Sequence, residues 1–373
     1  MIATAVFLLS LAAFLYIMAG YPLLLTLLAR RRPKPVARRP IECPVTIVVA
    51  VHNGAEYLAA KLDSIRALDW PAELKQVIVA SDGSTDATES IAASYGVELL
   101  RLPRAGKCAA LNAAFTKVRG EIVLLTDVRQ SLAPDSLRLL AANFADPTVG
   151  VCSGDLMIRP GSRSDEAEIG LYRRFETWMR DALSSLDSMF GATGAIYAVR
   201  RSLVVPIPED MLLDDMYLPL AGAFRSGYRL VMERRAVAWD IPTGRDVEFR
   251  RKVRTLAGNY QLLMRQPWLL TRENRMLWHF LSYKVARLAL PFLLASLLVS
   301  SFWLPSPWAL PIAGGQLLFY LLAAAHPLLP GPLRRISSPA RTFVVMMVAG
   351  IKALSVFFVP PKTLWKATGA GRS

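Results

Sequence analysis

The stretch that most constrains the fold of this chain is its first 29 residues, none of which carries a charged side chain. A helix of that length is long enough to cross the roughly 30 Å hydrocarbon core of a bilayer. The stretch has neither the charged beginning nor the small-residue cleavage site that is typical of a secretory signal peptide. We therefore expect residues 1–29 to form a transmembrane anchor.

The segment that follows the anchor is basic and rich in proline. Pro33, Pro35 and Pro40 predict a stiff, extended linker. Because cationic segments next to a membrane span favour the cytoplasmic side, the basic residues of this segment place the end of the anchor inside the cell. These residues are Arg30, Arg31, Arg32, Lys34, Arg38 and Arg39.

A second apolar region lies in the C-terminal part of the chain. Lys284 and Arg287, near its start, are expected to reach the membrane interface with their charged ends. The segments that are about long enough to span a bilayer lie near 285–304, 308–325 and 342–359.

The last of these segments leaves two alternatives open. Arg334, Arg335 and Arg341 predict a cytoplasmic loop before it. Lys352, however, lies in its middle, and a spanning helix would carry the basic residues that follow it to the outside. The segment therefore either spans the membrane, which we favour, or lies in the interface as an amphipathic helix.

Between the two apolar regions, short apolar runs alternate with helical patterns. This alternation predicts an α/β fold with a mostly parallel sheet that is covered by helices on both faces. In such sheets, ligands bind beyond the carboxyl ends of the strands. The apolar runs lie at 45–51, 76–80, 97–100 and 121–126, and helical patterns begin near 57, 86 and 107.

Cysteine and histidine are too scarce to form a metal centre. The chain has three residues of each type, and neither set shows a paired spacing. A disulfide framework, a thiolate site and a histidine cluster are therefore not expected, and any metal ion should be held by oxygen. The net charge of +15 comes without a nucleic-acid-binding motif, so we expect no nucleic-acid partner.

The residues directly after the second strand form a tight turn. Gly83 suits that turn, and Asp86 with Glu89 predicts a capping box for the next helix. Turn chemistry does not explain Asp82, an acid at the binding edge of the sheet. His52 and Asn53 follow the first strand and are expected at the same edge.

Three further motifs are candidates for ligand binding or chemistry. Gly106 and Lys107 begin a helix, where backbone N–H groups and positive charge favour phosphate, although the pattern is not a Walker A loop. Asp127 follows the fourth strand and is either a loop or cap residue or a ligand of a divalent cation. Asp214 and Asp215 begin a helix and are either dipole-stabilising caps or chemical groups.

A basic segment runs from 245 to 254. It is either a lipid-facing or solvated helix or a clamp for a diphosphate, to which the bidentate geometry of arginine is well suited.

Taken in order, these motifs resemble those of the family 2 glycosyltransferases. The resemblance covers about 45–260 and implies a GT-A fold, a nucleotide-diphosphate sugar donor and inversion at the anomeric carbon. The matching segments are 51–54, 82–86, 106–112, 126–127, 191–201 and 214–215.

The resemblance also implies roles for particular residues. Asp82 matches the acid that contacts the nucleoside, with His52 and Asn53 in the same pocket. Asp127 matches the first acid of the Asp-x-Asp motif, which meets the diphosphate through Mg²⁺ or Mn²⁺. Asp215 matches the general base, and Asp214 is the acid beside it. The other residues expected to bind the nucleotide-sugar are Gly83, Lys107, Asn112, Arg129, Arg251 and Arg254.

The sequence departs from the family pattern at two places. Arg129 stands where the second acid of Asp-x-Asp is usual, which weakens the expectation of metal dependence and adds positive charge near the phosphates. Arg251 and Thr255 replace the Gln and Trp of Gln-x-x-Arg-Trp, whose arginine matches Arg254. In processive relatives such as cellulose synthase that tryptophan belongs to the acceptor end, so we expect a non-processive or short-product enzyme.

With this resemblance, composition divides the chain into six segments. We expect an anchor at 1–29, a basic linker at 30–44, a GT-A catalytic domain at 45–240, basic interfacial helices at 241–284, about three transmembrane helices at 285–360 and a tail at 361–373.

The expected protein is an inverting hexosyltransferase of the cytoplasmic (inner) membrane, with its catalytic domain in the cytoplasm. It would move a sugar to a lipid-linked or polysaccharide acceptor, with other polysaccharide-assembly proteins as possible partners. Two alternatives stay open: a polyprenyl-phosphate glycosyltransferase of the same family, and an inactive nucleotide-sugar-binding component of a polysaccharide assembly. A lipid-surface scaffold would leave Asp82, Asp127 and Asp215 unexplained.

Overall fold

The structure is a computed structural model that describes residues 1–158, 166–241 and 245–366. It separates into two compact units. The sheet unit contains the described residues of 28–158 and 176–241, and the helical unit contains those of 1–27, 166–175 and 245–366.

The sheet unit is built on eight strands in the spatial order β3-β2-β1-β4-β7-β6-β8-β5. Strands β1 to β4 pair in parallel, β7 lies antiparallel to both β4 and β6, β8 is parallel to β6, and β5 is antiparallel to β8. The bounds are β1 Val45–Val51, β2 Lys75–Asp82, β3 Glu98–Leu102, β4 Ile122–Leu125, β5 Ser131–Leu132, β6 Val149–Ile158, β7 Tyr197–Arg200 and β8 Arg229–Asp240.

The four strands expected from the sequence are confirmed, with bounds that move by no more than two residues. The buried residues of β1, β2 and β4 are consecutive and not alternating, because both faces of these strands are covered, whereas the edge strand β3 is only partly buried. The second half of the sheet is mixed: β6 and β8 pair in parallel, whereas β7 and β5 are antiparallel to their neighbours, so the uninterrupted parallel pairing is confined to β1 to β4. Strand β8 carries Glu233, Arg234 and Arg235 in its middle, which hides it from a search for apolar runs.

Helices connect the parallel strands and cover the sheet. Helix α3 buries Leu58, Leu62 and Ile65 in the core, at the spacing of an amphipathic helix. The helices that lie in the sheet unit are α3 Ala55–Arg66, α4 Thr88–Ser94, α5 Lys107–Phe115, α6 Ser136–Ala141 and α8 Asp214–Leu218, and α7 Glu166–Leu186 is divided between the two units.

The predicted capping box of α4 is wrong. The helix begins at Thr88, and its N-cap residue Ala87 makes no side-chain cap. Glu89 accepts hydrogen bonds from Ser81 and Arg101 instead of reaching back to Asp86. Asp86 holds the backbone N–H groups of Thr88 and Ala55 and therefore ties the turn to the start of α3.

The helical unit contains three helical segments that are long and apolar enough to cross a membrane, counted over the described residues: Ile2–Arg31, Ala309–Leu328 and Ser337–Phe357. They are made from α1 Ile2–Leu15, α2 Tyr21–Arg31, α13 Ala309–Ala325 and α14 Gly331–Ala353, with short π- or 3₁₀-helical turns between or after them. The remaining helices are α9 Arg245–Arg265, α10 Leu277–Phe280, α11 Ala286–Leu288, α12 Leu290–Ser301 and α15 Pro361–Lys366.

The first C-terminal span, expected near 285–304, is bent. Leu277–Leu288 and Leu290–Ser301 meet at an angle of 60°, so that together they form a fourth candidate span or a re-entrant segment. Pro291 lies in the first turn of α12. Because proline removes a backbone donor and clashes with the preceding turn, it accounts for a break at this place.

Lys352, which argued against a spanning last helix, has an aromatic neighbour within the helical unit. Its ammonium nitrogen lies 5.2 Å from the ring centroid of Phe249 on α9. Such a contact stabilises a cation that is partly removed from water. The choice between a spanning and an interfacial segment stays a prediction.

Candidate active site

Asp82 lies at the end of β2 and is 2 % exposed. Its carboxylate accepts hydrogen bonds from the backbone N–H of Ala105 at 2.7 Å and of Gly106 at 2.9 Å, and it forms an ion pair with Arg104. Gly83 follows with a φ of 61°, and a Cβ there would lie 2.8 Å from the backbone nitrogen of Arg104. The turn therefore requires glycine for its conformation and for its close approach to the 104–106 segment.

His52 and Asn53 gather at the same edge of the sheet, as the sequence predicts. Nδ1 of His52 donates to the backbone carbonyl of Asp82 at 2.8 Å. The side-chain oxygen of Asn53 accepts from the backbone N–H of Thr85 at 2.8 Å, and Asn53 has a φ of 48°. Both side chains are exposed, so this edge presents polar groups to solvent.

A second cluster forms around Lys107, at the start of α5. Its ammonium lies 2.9 Å from Oδ1 of Asp127 and 3.0 Å from Oδ2 of Asp214. Burial alone lowers the pKa of Lys107, but the carboxylates of Asp127, Asp214 and Asp215 outweigh it and hold that pKa above its ordinary value. Lys107 is therefore a permanent cation between these acids.

Asp215 accepts hydrogen bonds from two backbone N–H groups of the segment 192–194. The N–H of Gly194 donates to Oδ2 of Asp215 at 3.1 Å, and the N–H of Ala192 donates to its carbonyl at 2.7 Å. A Cβ on Gly194 would lie 3.2 Å from Oδ2 of Asp215 and 3.5 Å from Oδ2 of Asp127. Asp127 and Asp215 therefore flank the same glycine.

Asn112 and Arg129, which are predicted to bind the donor, form polar contacts with other residues of the sheet unit. The side-chain amide of Asn112 donates to the carbonyl of Ile207 at 2.7 Å and accepts from its N–H at 2.9 Å. Arg129 forms an ion pair with Asp240 at the end of β8, and both side chains are largely buried. The charge that Arg129 adds near Asp127 is thus neutralised within the protein.

Arg251 and Arg254 lie on α9 in the helical unit. Arg251 lies 4.0 Å from Glu248, one turn earlier on the same helix. Their contact with the donor stays a prediction.

Sequence reasoning assigned no role to two residues. Gly194 lies in the 191–201 segment that matches the family, but the spacing of Gly-Ala-Thr-Gly gives no sign that a carboxylate lies beside it. Lys61 is 1 % exposed and lies on the buried face of α3, between Leu58 and Ile65. A charged residue at an apolar position of an amphipathic helix was a detectable signal.

Asp127 is the residue best suited to share a divalent cation with a ligand, because its carboxylate is 40 % exposed. Among the described residues, no group of three His, Cys, Asp or Glu side chains could hold a metal ion. A protein-only metal cage is therefore absent from that part of the chain. Mg²⁺ typically binds through one or two carboxylates and completes its shell with substrate phosphates and water, and Asp127 fits that arrangement.

Comparison with known proteins gives a family model and several relatives. The model described as "Glycosyl transferase family 2" matches residues 46–204. An N-acetylglucosaminyltransferase of Rhizobium meliloti (strain 1021) is 29% identical over 189 residues, which cover 48% of this chain and 43% of the relative. A beta-monoglucosyldiacylglycerol synthase of Synechocystis sp. is 28% identical over 114 residues, 28% of this chain and 24% of the relative. The chain thus spans less than half the length of these curated relatives.

A solved structure is similar over nearly the whole chain. It is a mannosyltransferase from Pyrobaculum calidifontis in complex with GDP-Man and Mn²⁺. The sequence identity is 26%, the TM-score is 0.68, and the alignment covers 95% of this chain and 99% of the other. The likeness therefore extends beyond the sheet to the flanking helices.

Proposed function

The chain belongs to the family 2 glycosyltransferases, and on that premise we propose that it moves a sugar from a nucleotide-diphosphate donor to a lipid-linked or polysaccharide acceptor, with inversion. The observation that carries the proposal is that Asp127 and Asp215 flank Gly194, while Lys107 pairs with both Asp127 and Asp214. The carboxylate of Asp215, which can act as a general base, therefore lies near the carboxylate of Asp127, which can bind a cation.

Asp215 is the proposed general base. One oxygen of its carboxylate is oriented by the N–H of Gly194, and an oriented base removes a proton more effectively than one that must find its position. Asp215 takes the proton of the acceptor hydroxyl as the oxygen attacks C1 of the sugar. The bond from C1 to the diphosphate breaks in the same step, and the nucleoside diphosphate leaves with the bonding electrons.

Lys107 stabilises the negative charge that develops on the departing diphosphate. It is a fixed cation in a partly water-excluded position, with a side chain that is 23 % exposed, and charge stabilisation is stronger there than in water. Its pairing with Asp127 and Asp214 holds the ammonium in place before the donor arrives. The ammonium therefore needs little reorganisation during the reaction.

Asp127 would hold Mg²⁺ or Mn²⁺ together with the diphosphate. The ion would supply Lewis-acid stabilisation of the leaving group. Support comes from the Mn²⁺ and GDP-Man in the similar mannosyltransferase structure. Because Arg129 is paired with Asp240, we assign no metal contact to the position where the second acid of the motif is usual.

The nucleoside is assigned to the edge formed by His52, Asn53 and Asp82. Arg104 pairs with Asp82 in this structure, and its side chain is 56 % exposed. It can therefore move outward and leave a carboxylate oxygen of Asp82 to accept a hydrogen bond from the nucleobase.

The helical unit, with its candidate spans, supports a membrane location. We place the sheet unit in the cytoplasm on the charge of residues 30–39.

A polyprenyl phosphate is the second candidate acceptor. A relative from Trichomonas vaginalis named as a dolichyl-phosphate beta-glucosyltransferase, 33% identical over 107 residues, favours it. A phosphate oxygen attacks without first losing a proton at neutral pH, so transfer to such an acceptor would depend much less on Asp215.

A donor screen tests the proposed function. Purified protein is warmed with GDP-mannose, UDP-glucose or UDP-GlcNAc, each with and without Mn²⁺, and transfer of labelled sugar to membrane extracts is followed by thin-layer chromatography. We expect one donor to raise the melting temperature, because a ligand at 100 times its Kd stabilises by about 2.7 kcal/mol. We also expect that Mn²⁺ increases this shift. Absence of stabilisation and transfer with every donor would contradict the proposal.

A further inference from the structure

Lys61 is a buried lysine whose side-chain hydrogen bonds to described residues all go to one segment. Its Nζ donates to Oγ1 of Thr126 at 2.5 Å and to the carbonyl of Gln130 at 2.7 Å. Both acceptors belong to residues 126–130, between β4 and β5, which carry Asp127 and Arg129. Lys61 therefore fastens the two ends of this segment to helix α3.

Burying this ammonium is costly. Desolvation lowers the pKa of Lys61 to about 7, although the charge of Asp127 works in the opposite direction. In the part of the chain that the structure describes, no carboxylate forms an ion pair with it. A methionine or leucine would fill the same space without that cost. The contribution of lysine here is therefore its hydrogen bonds and not its packing.

The hydroxyl of Thr126 links Lys61 to a third segment of the chain, because it donates to the carbonyl of Ala195 at 2.6 Å. A hydroxyl has a single proton, so Oγ1 must use a lone pair toward Lys61, and Lys61 supplies the donor. Ala195 directly follows Gly194, whose N–H holds Asp215.

These contacts form one continuous route from Lys61 through Thr126 and Ala195 to the segment that holds Asp215. The same route begins directly beside Asp127. Building on the proposed transferase activity, we propose that Lys61 is a positioning residue that fixes Asp127 relative to Asp215 through the hydroxyl of Thr126. Lys61 touches neither donor nor acceptor in this arrangement.

The effect of Lys61 should fall on the transfer step and not on nucleoside binding. Asp82 is held by residues 104–106, and none of its hydrogen bonds involves segment 126–130. Displacement of Asp127 by a fraction of an ångström would misalign the reacting groups, and misplacement of about 1 Å can cost on the order of 100-fold in rate. The nucleotide would still bind at its own edge of the sheet.

The experiment compares Lys61→Met, Thr126→Val and the double variant with wild type, using whichever of GDP-mannose and UDP-glucose the wild-type protein uses. We expect each single variant to lower kcat about 10- to 100-fold while the donor KM changes by less than about threefold. Because both variants interrupt one route, the double variant should be no slower than the slower single variant.

Lys75→Met is the matched control. Lys75 lies at the start of β2, and its hydrogen bonds to described residues are long contacts with the carbonyls of Arg66 and Leu68, at 3.5 and 3.4 Å. The same chemical change there should leave kcat within about twofold of wild type. Thr126→Val replaces the hydroxyl by a methyl group of similar size, so it still tests the route if Lys61→Met does not fold.

Besides an unchanged kcat in Lys61→Met, three results would overturn the inference: an unchanged kcat in Thr126→Val, losses that multiply in the double variant, or a raised donor KM at constant kcat. Multiplying losses would mean that each residue acts only on its own surroundings. If the wild-type protein transfers no sugar from any donor, the proposed function itself fails. If the wild type and the Lys61→Met variant are equally active, the proposed role of Lys61 is refuted, but the proposed transferase function is not.

Discussion

Gly194 lies close to both carboxylates on which the proposed chemistry depends, those of Asp127 and Asp215. Its N–H is bonded to Asp215, and its α-carbon faces Asp127 closely enough that a methyl group would touch both. A Cβ at this position would be in ordinary contact with Asp127 but would require a small shift of the Asp215 carboxylate. We assign glycine at this position to its closeness to these carboxylates and not to an unusual backbone conformation.

Replacement of Gly194 by alanine should therefore impair catalysis more than folding. The added Cβ would lie 3.2 Å from Oδ2 of Asp215, so the carboxylate must shift by a few tenths of an ångström. We expect kcat to fall on the order of 10-fold, with a melting temperature within a few degrees of wild type.

Gly314→Ala is the control for that variant, because a Cβ on Gly314 meets nothing within 4 Å. It should leave kcat unchanged. Equal rates for Gly194→Ala and wild type would show that the spacing of Asp127 and Asp215 does not limit the reaction.

Sequence patterns found the acids but not what orients them. Asp82, Asp127 and Asp215 stand directly after strands or at a helix start, so their positions follow from chain order and fold class. The N–H of Gly194 and the hydroxyl of Thr126 act through contacts between segments that lie 21 and 69 positions apart. No local pattern encodes such contacts.

At the scale of elements, the connection between β4 and β5 is tied to the end of β8 by Arg129 and Asp240. Asp240 also accepts the N–H of Ile241. Both partners are largely withdrawn from water, so removal of either leaves a buried charge without its partner. The pair thus couples the Asp127 segment to the edge of the sheet.

This pairing predicts the behaviour of single and double variants. Arg129→Met and Asp240→Asn should each lower the free energy of unfolding by on the order of 3 kcal/mol, and the double variant should lose less than the sum. Chemical denaturation of the detergent-solubilised protein measures this. A stable Arg129→Met variant with weakened donor binding would instead assign Arg129 to the diphosphate.

The elements themselves were predictable to different degrees. Strands β1, β2 and β4 contain continuous apolar runs, because both faces of that part of the sheet are covered, and the edge strand β3 is only partly buried; the sequence located all four. Strand β8 has a register shift against β6 and exposes Arg234 and Arg235. It is a strand because it pairs with β6 and β5, and the charged residues in its middle interrupt the apolar run by which a strand can be predicted.

On the scale of the whole molecule, the chain combines a sheet unit that carries the acids with a helical unit that carries the candidate spans. The hydropathy of the spans was evident from the sequence, but the 60° bend at Pro291 depends on how the helix accommodates the lost backbone hydrogen bond. A lipid-linked acceptor would suit an enzyme with this composition.

The most direct test of the account is single-turnover transfer by Asp215→Asn in reconstituted membranes. The variant removes the base but keeps the shape of the side chain and its contact with Gly194. We expect transfer to a hydroxyl acceptor to fall at least about 100-fold, while the donor Kd stays within about threefold of wild type. Asp135→Asn, an exposed carboxylate outside the cluster, should transfer at the wild-type rate. Transfer to a hydroxyl acceptor at an undiminished rate by Asp215→Asn would contradict the central claim.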